Sequence, residues 1–348
     1  MMVVLFLEIN FGSGDAYVKL DALMIMVCTV LSVLKLLSFR LYADNLIRNF
    51  SSAVNDYLAI DTEEKRTIMR RHAFMGRMIC YSIIGFSYVA SSIFMLMPMI
   101  TGEKEGDVHV NASVKSQAAE LPVPLTWALG DLHISTSLYL LITMVQCVLL
   151  VLNSTSDLGG DSLFLAITLH VCGQMELLKI EFINYGMKSK NMNKDFEKLA
   201  SRHHYLIKHA KLLVDVISFV LFVQLLLSCL IICLIGFQLI LALKMHDAVM
   251  ITKTITVLST LLLQLFFYSF VGDYMKCKME EVAHSIYSCN WHCLPIKLMR
   301  NVLFVIMRSQ HPVQLLAGRY FVVNIGTFMT ILKSSLSYLS VLRVMLDA

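Results

Sequence analysis

The chain has 348 residues, 57% hydrophobic and 16% charged, with a net charge of +4 and a mean hydropathy of +0.70. Soluble domains run at about 45–50% apolar and about 25% charged, and a globular core of this size could not hide the surplus, because the buried fraction rises only slowly with length. Disorder, collagen, a nucleic-acid-binding domain and a disulfide scaffold are excluded, which leaves an all-α polytopic membrane protein.

In chain order, residues 1–9 are apolar but too short to cross ~30 Å of hydrocarbon, which takes ~20 helical residues. They also lack the cationic start and small-residue cleavage site of a signal peptide. Residues 18–39 form the first full span, with Lys19, Asp21 and Lys35 placed to snorkel from its ends. A charged segment, 40–76, leads to a span at 77–99 and a loop at 100–130. The long apolar segment 131–185 carries Asp157, Asp161 and Glu176, which border its apolar runs and are expected near the water interface. A basic segment, 186–211, precedes spans at 212–243 and 254–275. The chain closes with a basic segment, 276–310, and a last long helix at 311–346.

Loop charge sets the orientation, because lysine and arginine collect on the cytoplasmic side. Segments 39–72, 186–211 and 276–310 hold eighteen of these residues, against five in 10–19, 99–130 and 244–253. The first set is therefore expected inside, with the loop 100–130, its sequon at Asn111 and the carboxyl end outside. Six spans in this orientation call for a helix before residue 18 that enters from the cytoplasm. Residues 1–9 read as its remnant, which predicts a seven-helix protein whose first helix is truncated and whose amino terminus is cytoplasmic. An apolar helix encoded upstream of Met1 is the expected check.

The nine cysteines lie in apolar stretches or in one basic segment, not in the short polar loops of secreted scaffolds. They read as reduced thiols. Cys289, His292 and Cys293 lack a second ligand pair at metal-site spacing, so no metal and no cofactor are expected. No GxSxG, HExxH, P-loop or Rossmann fingerprint is present, so the chain does not read as an enzyme. His203, His204 and His209 sit among lysines as solvated groups.

The inner segments keep helical spacing among their lysines, as in Phe196, Leu199, His203, Leu206 and Ile207. They suit packing within or between subunits, or a helix lying on anionic headgroups. The last segment carries Asn324, Thr327, Thr330, Lys333, Ser334, Ser335 and Ser337, followed by Tyr338, Val341 and Met345 at i, i+3, i+7. Polar residues at membrane depth face water or a bundle interior. A pore with an apolar constriction and a closely packed bundle helix both fit. Small-molecule sites are mostly apolar with a few orienting polar groups. On that ground the outer halves of the spans offer Tyr88, Ser92, Met95, Tyr139, Thr143, Gln146, Phe237, Thr254 and Leu258 as ligand contacts. The 22 methionines would supply adaptable walls.

An ordered series in the carboxyl-terminal third resembles the insect odorant receptor family. It runs from Phe267-Tyr268-Ser269-Phe270-Val271-Gly272-Asp273 through Ile286-Tyr287-Ser288, Trp291 and Met307-Arg308-Ser309-Gln310-His311-Pro312. It continues in Leu316-Ala317-Gly318-Arg319-Tyr320-Phe321, Phe328 to Lys333, and Ser334-Ser335-Leu336-Ser337-Tyr338. The resemblance implies a seven-transmembrane subunit of a ligand-gated, non-selective cation channel in the membrane of olfactory sensory neuron dendrites. Such a subunit forms a heterotetramer with the odorant receptor co-receptor and binds a small volatile ligand. It also implies a pore at Tyr338 with a gate at Val341 and Met345, and a subunit anchor around Trp291, Arg308, Gln310 and Pro312. The co-receptor's long inserted loop between the fourth and fifth spans is missing, so the chain resembles a tuning receptor. A G-protein-coupled receptor or a gustatory seven-helix chemoreceptor is the alternative.

Overall fold

The computed structural model describes residues 2–12, 16–105, 121, 123, 125, 135–185, 192–245, 248–289 and 291–347. The sequon Asn111 lies outside the described residues, as does the side chain of Met345. The helices are α1 (Met2–Phe11), α2 (Ala16–Leu41), α3 (Ala43–Leu58), α4 (Glu63–Glu105) and α5 (Thr136–Ile183). They continue as α6 (Met192–Met245), α7 (Ala248–Ser288), α8 (Ile296–Ser309) and α9 (Ile325–Asp347). Among the described residues, five helices are long and apolar enough to cross a membrane: α2, α4, α5, α6 and α7.

Helices α4 to α7 run far past the length of a membrane crossing, and their extensions gather at one basic end. The inward positions of α6 (Leu206, Ala210, Leu213, Ile217, Leu221) recur every three or four residues and are all buried. So are Tyr268, Val271, Met275, Val282 and Ile286 on α7. This spacing places them on one helical face, where they meet Leu165, Leu169, Met175 and Phe182 of α5 in the main core. Helix α8 closes this end with Leu298 and Val302. Ion pairs tie the extensions together: Arg71 to Glu176 at 2.5 Å, Lys179 to Glu281 at 2.7 Å, and Arg202 to Asp56 at 2.9 Å. Glu176 therefore belongs to this network rather than standing alone at an interface. Toward the other end the core thins into two small clusters, around Leu5, Ala22 and Phe94 and around Met24, Ile231 and Ile235.

The segment 311–346 is not one helix. Residues 316–322 form a small hairpin, β1 (Leu316–Ala317) antiparallel to β2 (Phe321–Val322), and α9 begins only at Ile325. Gly318 and Arg319 both adopt positive φ, 59° and 64°, which ends any helix for an L-residue chain. The hairpin docks on α6, where the Gly318 and Arg319 amides donate to the Ser218 carbonyl and hydroxyl at 2.8 and 3.3 Å. Asn324 then caps α9, its side-chain oxygen accepting from the Thr327 amide at 2.7 Å. Asp273 of α7 accepts from the Ile325 amide at 2.9 Å.

Candidate functional site

Where the core thins, α2, α4, α5, α6 and α7 enclose a cavity of about 160 Å³. Its walls are apolar: Met24, Ile25 and Leu31 from α2, Ala90 and Phe94 from α4, Leu150 from α5, Ile231 from α6, and Val257 and Leu261 from α7. A few hydroxyls and Asn153 interrupt them, and Asp157 and Gln264 form the floor.

Beneath the floor lies an ion cluster in which Lys35 and Asp161 are buried and Asp157 is partly exposed. Lys35 has no solvent exposure, and its Nζ sits 2.6 Å from Asp157 Oδ1 and 2.9 Å from Asp161 Oδ2. Gln264 donates to Asp157 at 3.2 Å and also to Asp161, and the Tyr268 hydroxyl donates to Asp161 at 2.6 Å. Lys35 therefore does not snorkel. It lies one turn and more inside the end of α2, walled in by α5 and α7, where two carboxylates replace the water it gives up. Asp161, 1% exposed, is likewise an interior group rather than an interfacial one. A charge inside a membrane protein survives only with such partners.

The sequence-derived ligand candidates take other places. Thr143 and Thr254 are buried, and their hydroxyls donate to the carbonyls of Tyr139 and Met250 in their own helices. Gln146 holds Val123 by both backbone groups, at 3.1 and 2.9 Å, pinning the segment near 123 against α5. The Tyr88 hydroxyl bonds Thr155 at 2.8 Å on an exposed face, and Ser92 is exposed beside it. Met95, Tyr139 and Phe237 are half-buried, and Leu258 packs against the Met24 cluster. None of the nine lines the cavity. Three lie next to it in the chain, for Ser91, Phe94 and Val257 line it beside Ser92, Met95 and Leu258. One residue turns a helix by ~100°, so a chain neighbour points to a different face.

A sequence signal for the cavity lining was present. Asn153, Asp157 and Asp161 repeat at i, i+4, i+8, as do Thr260, Gln264 and Tyr268, while Cys28, Ser32 and Lys35 repeat at i, i+4, i+7. Three polar stripes in apolar helices have to face one another.

On α9, Ser335 is buried against Cys229 and Cys233 of α6, and Leu339 fills the space over Gly236. The opposite face carries Thr330, Lys333, Ser337 and Ser340, all exposed, flanked by Tyr338 and Val341 at 61% and 57% exposure. Near the anchor residues, the Trp291 indole donates to the Tyr287 carbonyl at 3.1 Å and Arg308 donates to the His311 carbonyl at 2.7 Å. Gln310 is the exposed C-cap of α8, and Pro312 is half-buried in the turn after it. Helix α8 is apolar on two sides. Leu298 and Val302 point inward, and Leu303, Phe304 and Met307 remain exposed.

The fold is a multi-pass helical bundle with an apolar cavity and a last helix that is polar on its outward side. The model of the family described as 7tm Odorant receptor matches residues 18–336, and the chain belongs to that family. It is 22% identical over 351 residues to odorant receptor 10 of Aedes albopictus, covering 99% of this chain and 88% of that one. It is 28% identical over 206 residues to odorant receptor 9a of Drosophila melanogaster, covering 59% and 48%. Its fold matches the olfactory receptor OR5 of Machilis hrabei in complex with eugenol, with a TM-score of 0.80 at 14% identity over 99% of this chain and 87% of that one. The same receptor in a second structure matches with a TM-score of 0.77. The G-protein-coupled and gustatory alternatives are not favoured.

Proposed function

We propose that this chain is the odorant-binding subunit of a ligand-gated, non-selective cation channel that assembles with the odorant receptor co-receptor. Its setting is the plasma membrane of an olfactory sensory neuron dendrite, with the basic end in the cytoplasm and the carboxyl end outside. The observation that carries the channel reading is the exposed stripe Thr330, Lys333, Ser337 and Ser340 on the side of α9 turned away from its own bundle. Hydroxyls and an ammonium facing lipid are costly, whereas in a ring of subunits that side faces a central water path. Val341 follows the stripe, and in such a ring of subunits it forms an apolar constriction, with Met345 one turn on in sequence, of the kind that closes a pore by dewetting. The exposed apolar side of α8, with Trp291, Arg308, Gln310 and Pro312 shaping its ends, supplies the contact between subunits.

The ligand is a small volatile molecule held in the cavity between α2, α4, α5, α6 and α7; the eugenol-bound state of the OR5 structure supports this reading. Current recording with the co-receptor over an odorant panel tests it. Val257→Trp puts a large ring into the cavity and is expected to abolish responses without lowering surface labelling. Retained responses would place the ligand elsewhere.

The gate has its own test. Val341→Ser makes the constriction easier to wet and is expected to raise odorant-independent current severalfold. Basal current and ion selectivity equal to wild type would remove Val341 from the gate.

A further inference from the structure

Resting on the reading of the cavity as the odorant site, we infer that its floor selects ligands whose head group donates a hydrogen bond, an alcohol or an amine, over ethers and esters of the same shape. Two observations carry this. The first is a count of charge. Among the described residues, Lys35 is the one cation paired with Asp157 and Asp161, so the cluster holds two carboxylates and one ammonium. Asp161 is sealed in by Lys35, Gln264 and Tyr268. Asp157 retains 24% side-chain exposure and lines the cavity, so the surplus acceptor capacity opens toward the ligand.

The second observation is that the donors at the floor, and several on the walls, are already engaged. Ser32 donates to the Cys28 carbonyl at 3.2 Å and Thr260 to the Thr256 carbonyl at 3.0 Å. Ser91 and Ser154 share one hydrogen bond at 3.0 Å, which engages one of their two protons, and the Gln264 amide serves both carboxylates. Asn153 is able to play either role. At the floor itself Gln264 has turned its amide protons to the carboxylates, so what Asp157 and Gln264 still offer are lone pairs. A carbonyl or ether oxygen brought to this floor meets a carboxylate and is repelled, whereas a hydroxyl or ammonium proton completes it.

The test uses ligand-dependent thermal stabilisation of the purified full chain in detergent, which does not depend on channel activity. The probes are two matched sets: 1-hexanol, hexylamine and methyl pentyl ether; and benzyl alcohol, benzylamine and benzyl methyl ether. Within at least one set the donor probes are expected to bind roughly tenfold or more tightly than the ether, the range for a hydrogen bond to a charged group. The amine and alcohol arms separate recognition of charge from recognition of the proton alone. Asp157→Asn should collapse the donor-to-ether ratio toward one. It leaves the Lys35–Asp161 pair balanced, which favours folding.

A wild-type ratio near one in both sets overturns the inference, as does the absence of stabilisation by every donor probe. This holds whether or not the asparagine variant folds. Val257→Trp separates the two failures. If it abolishes binding of all probes while the wild-type ratio is near one, only the head-group selectivity falls. If donor binding survives it, the odorant cavity itself is misplaced.

Discussion

Lys35→Met is expected to melt roughly 5–10 °C below wild type and to lose most of its surface expression. The substitution keeps the length of the side chain and its fit between α2, α5 and α7, so packing is nearly preserved. What it removes is the counter-charge of Asp157 and Asp161, at 2.6 and 2.9 Å. Breaking a buried pair by deleting one partner costs about 3–5 kcal/mol, because the orphaned charge stays in low dielectric, and in a chain of this size each kcal/mol lowers Tm by about 1.5–2 °C. The remedy is diagnostic. Adding Asp157→Asn and Asp161→Asn to Lys35→Met leaves a neutral set of amides beside Gln264 and Tyr268 and should restore most of the lost stability. Melting of detergent-solubilised protein with surface biotinylation reads both effects. A single Lys35→Met variant that melts with wild type would show that the cluster is not held by its lysine.

Gly272→Ala is expected to abolish odorant-evoked current while leaving ligand binding in the cavity intact. A Cβ at Gly272 would lie 2.3 Å from the Val323 carbonyl oxygen and 3.4 Å from Leu315 Cβ. The first is a backbone atom of a residue whose amide donates to the Leu315 carbonyl at 2.8 Å, so no side-chain rotation relieves the clash. The hairpin end has to leave α7, and with it goes the hydrogen bond from the Ile325 amide at the start of α9 to the Asp273 carboxylate of α7. Overpacking of this kind costs about 1–3 kcal/mol and the lost cap about 1 kcal/mol more. The functional consequence exceeds the energetic one, because the displaced element is the helix proposed to line the pore. Gly85→Ala and Gly159→Ala, where the added Cβ meets nothing within 4 Å, serve as controls expected to keep current. Equal loss in all three variants, or normal current in Gly272→Ala, would break the link between the hairpin and the gate.

The Gly272-Asp273 and Leu316-to-Phe321 segments that carry the family resemblance acquire a physical meaning here. They contribute no ligand contact. Gly272 allows the closest backbone approach, Asp273 caps α9, and the positive φ of Gly318 and Arg319 turns the hairpin onto Ser218. Together they set where α9 starts and which way it faces.

The amino-acid sequence by itself determined the solvent and the class. A surplus of apolar residues has no place to go in water, lysines and arginines fall on alternate loops, and the motif series after residue 267 marks the family. The polar side of α9 was also legible, because hydroxyls at helical spacing need not know their partners to be out of place in lipid. Tertiary structure decided the rest. The single long helix at 311–346 became a hairpin and a helix, because two residues of positive φ docked on α6 instead of continuing a turn. The cavity lining at Ser91, Phe94 and Val257 lies one residue away from Ser92, Met95 and Leu258, because composition gives the helix but not its rotation about its axis. Lys35 and Asp161 changed from interfacial charges to a buried pair. A charge reads as an interface marker when its helix is considered alone, and only the packing of α2 on α5 and α7 brings the two together with water excluded.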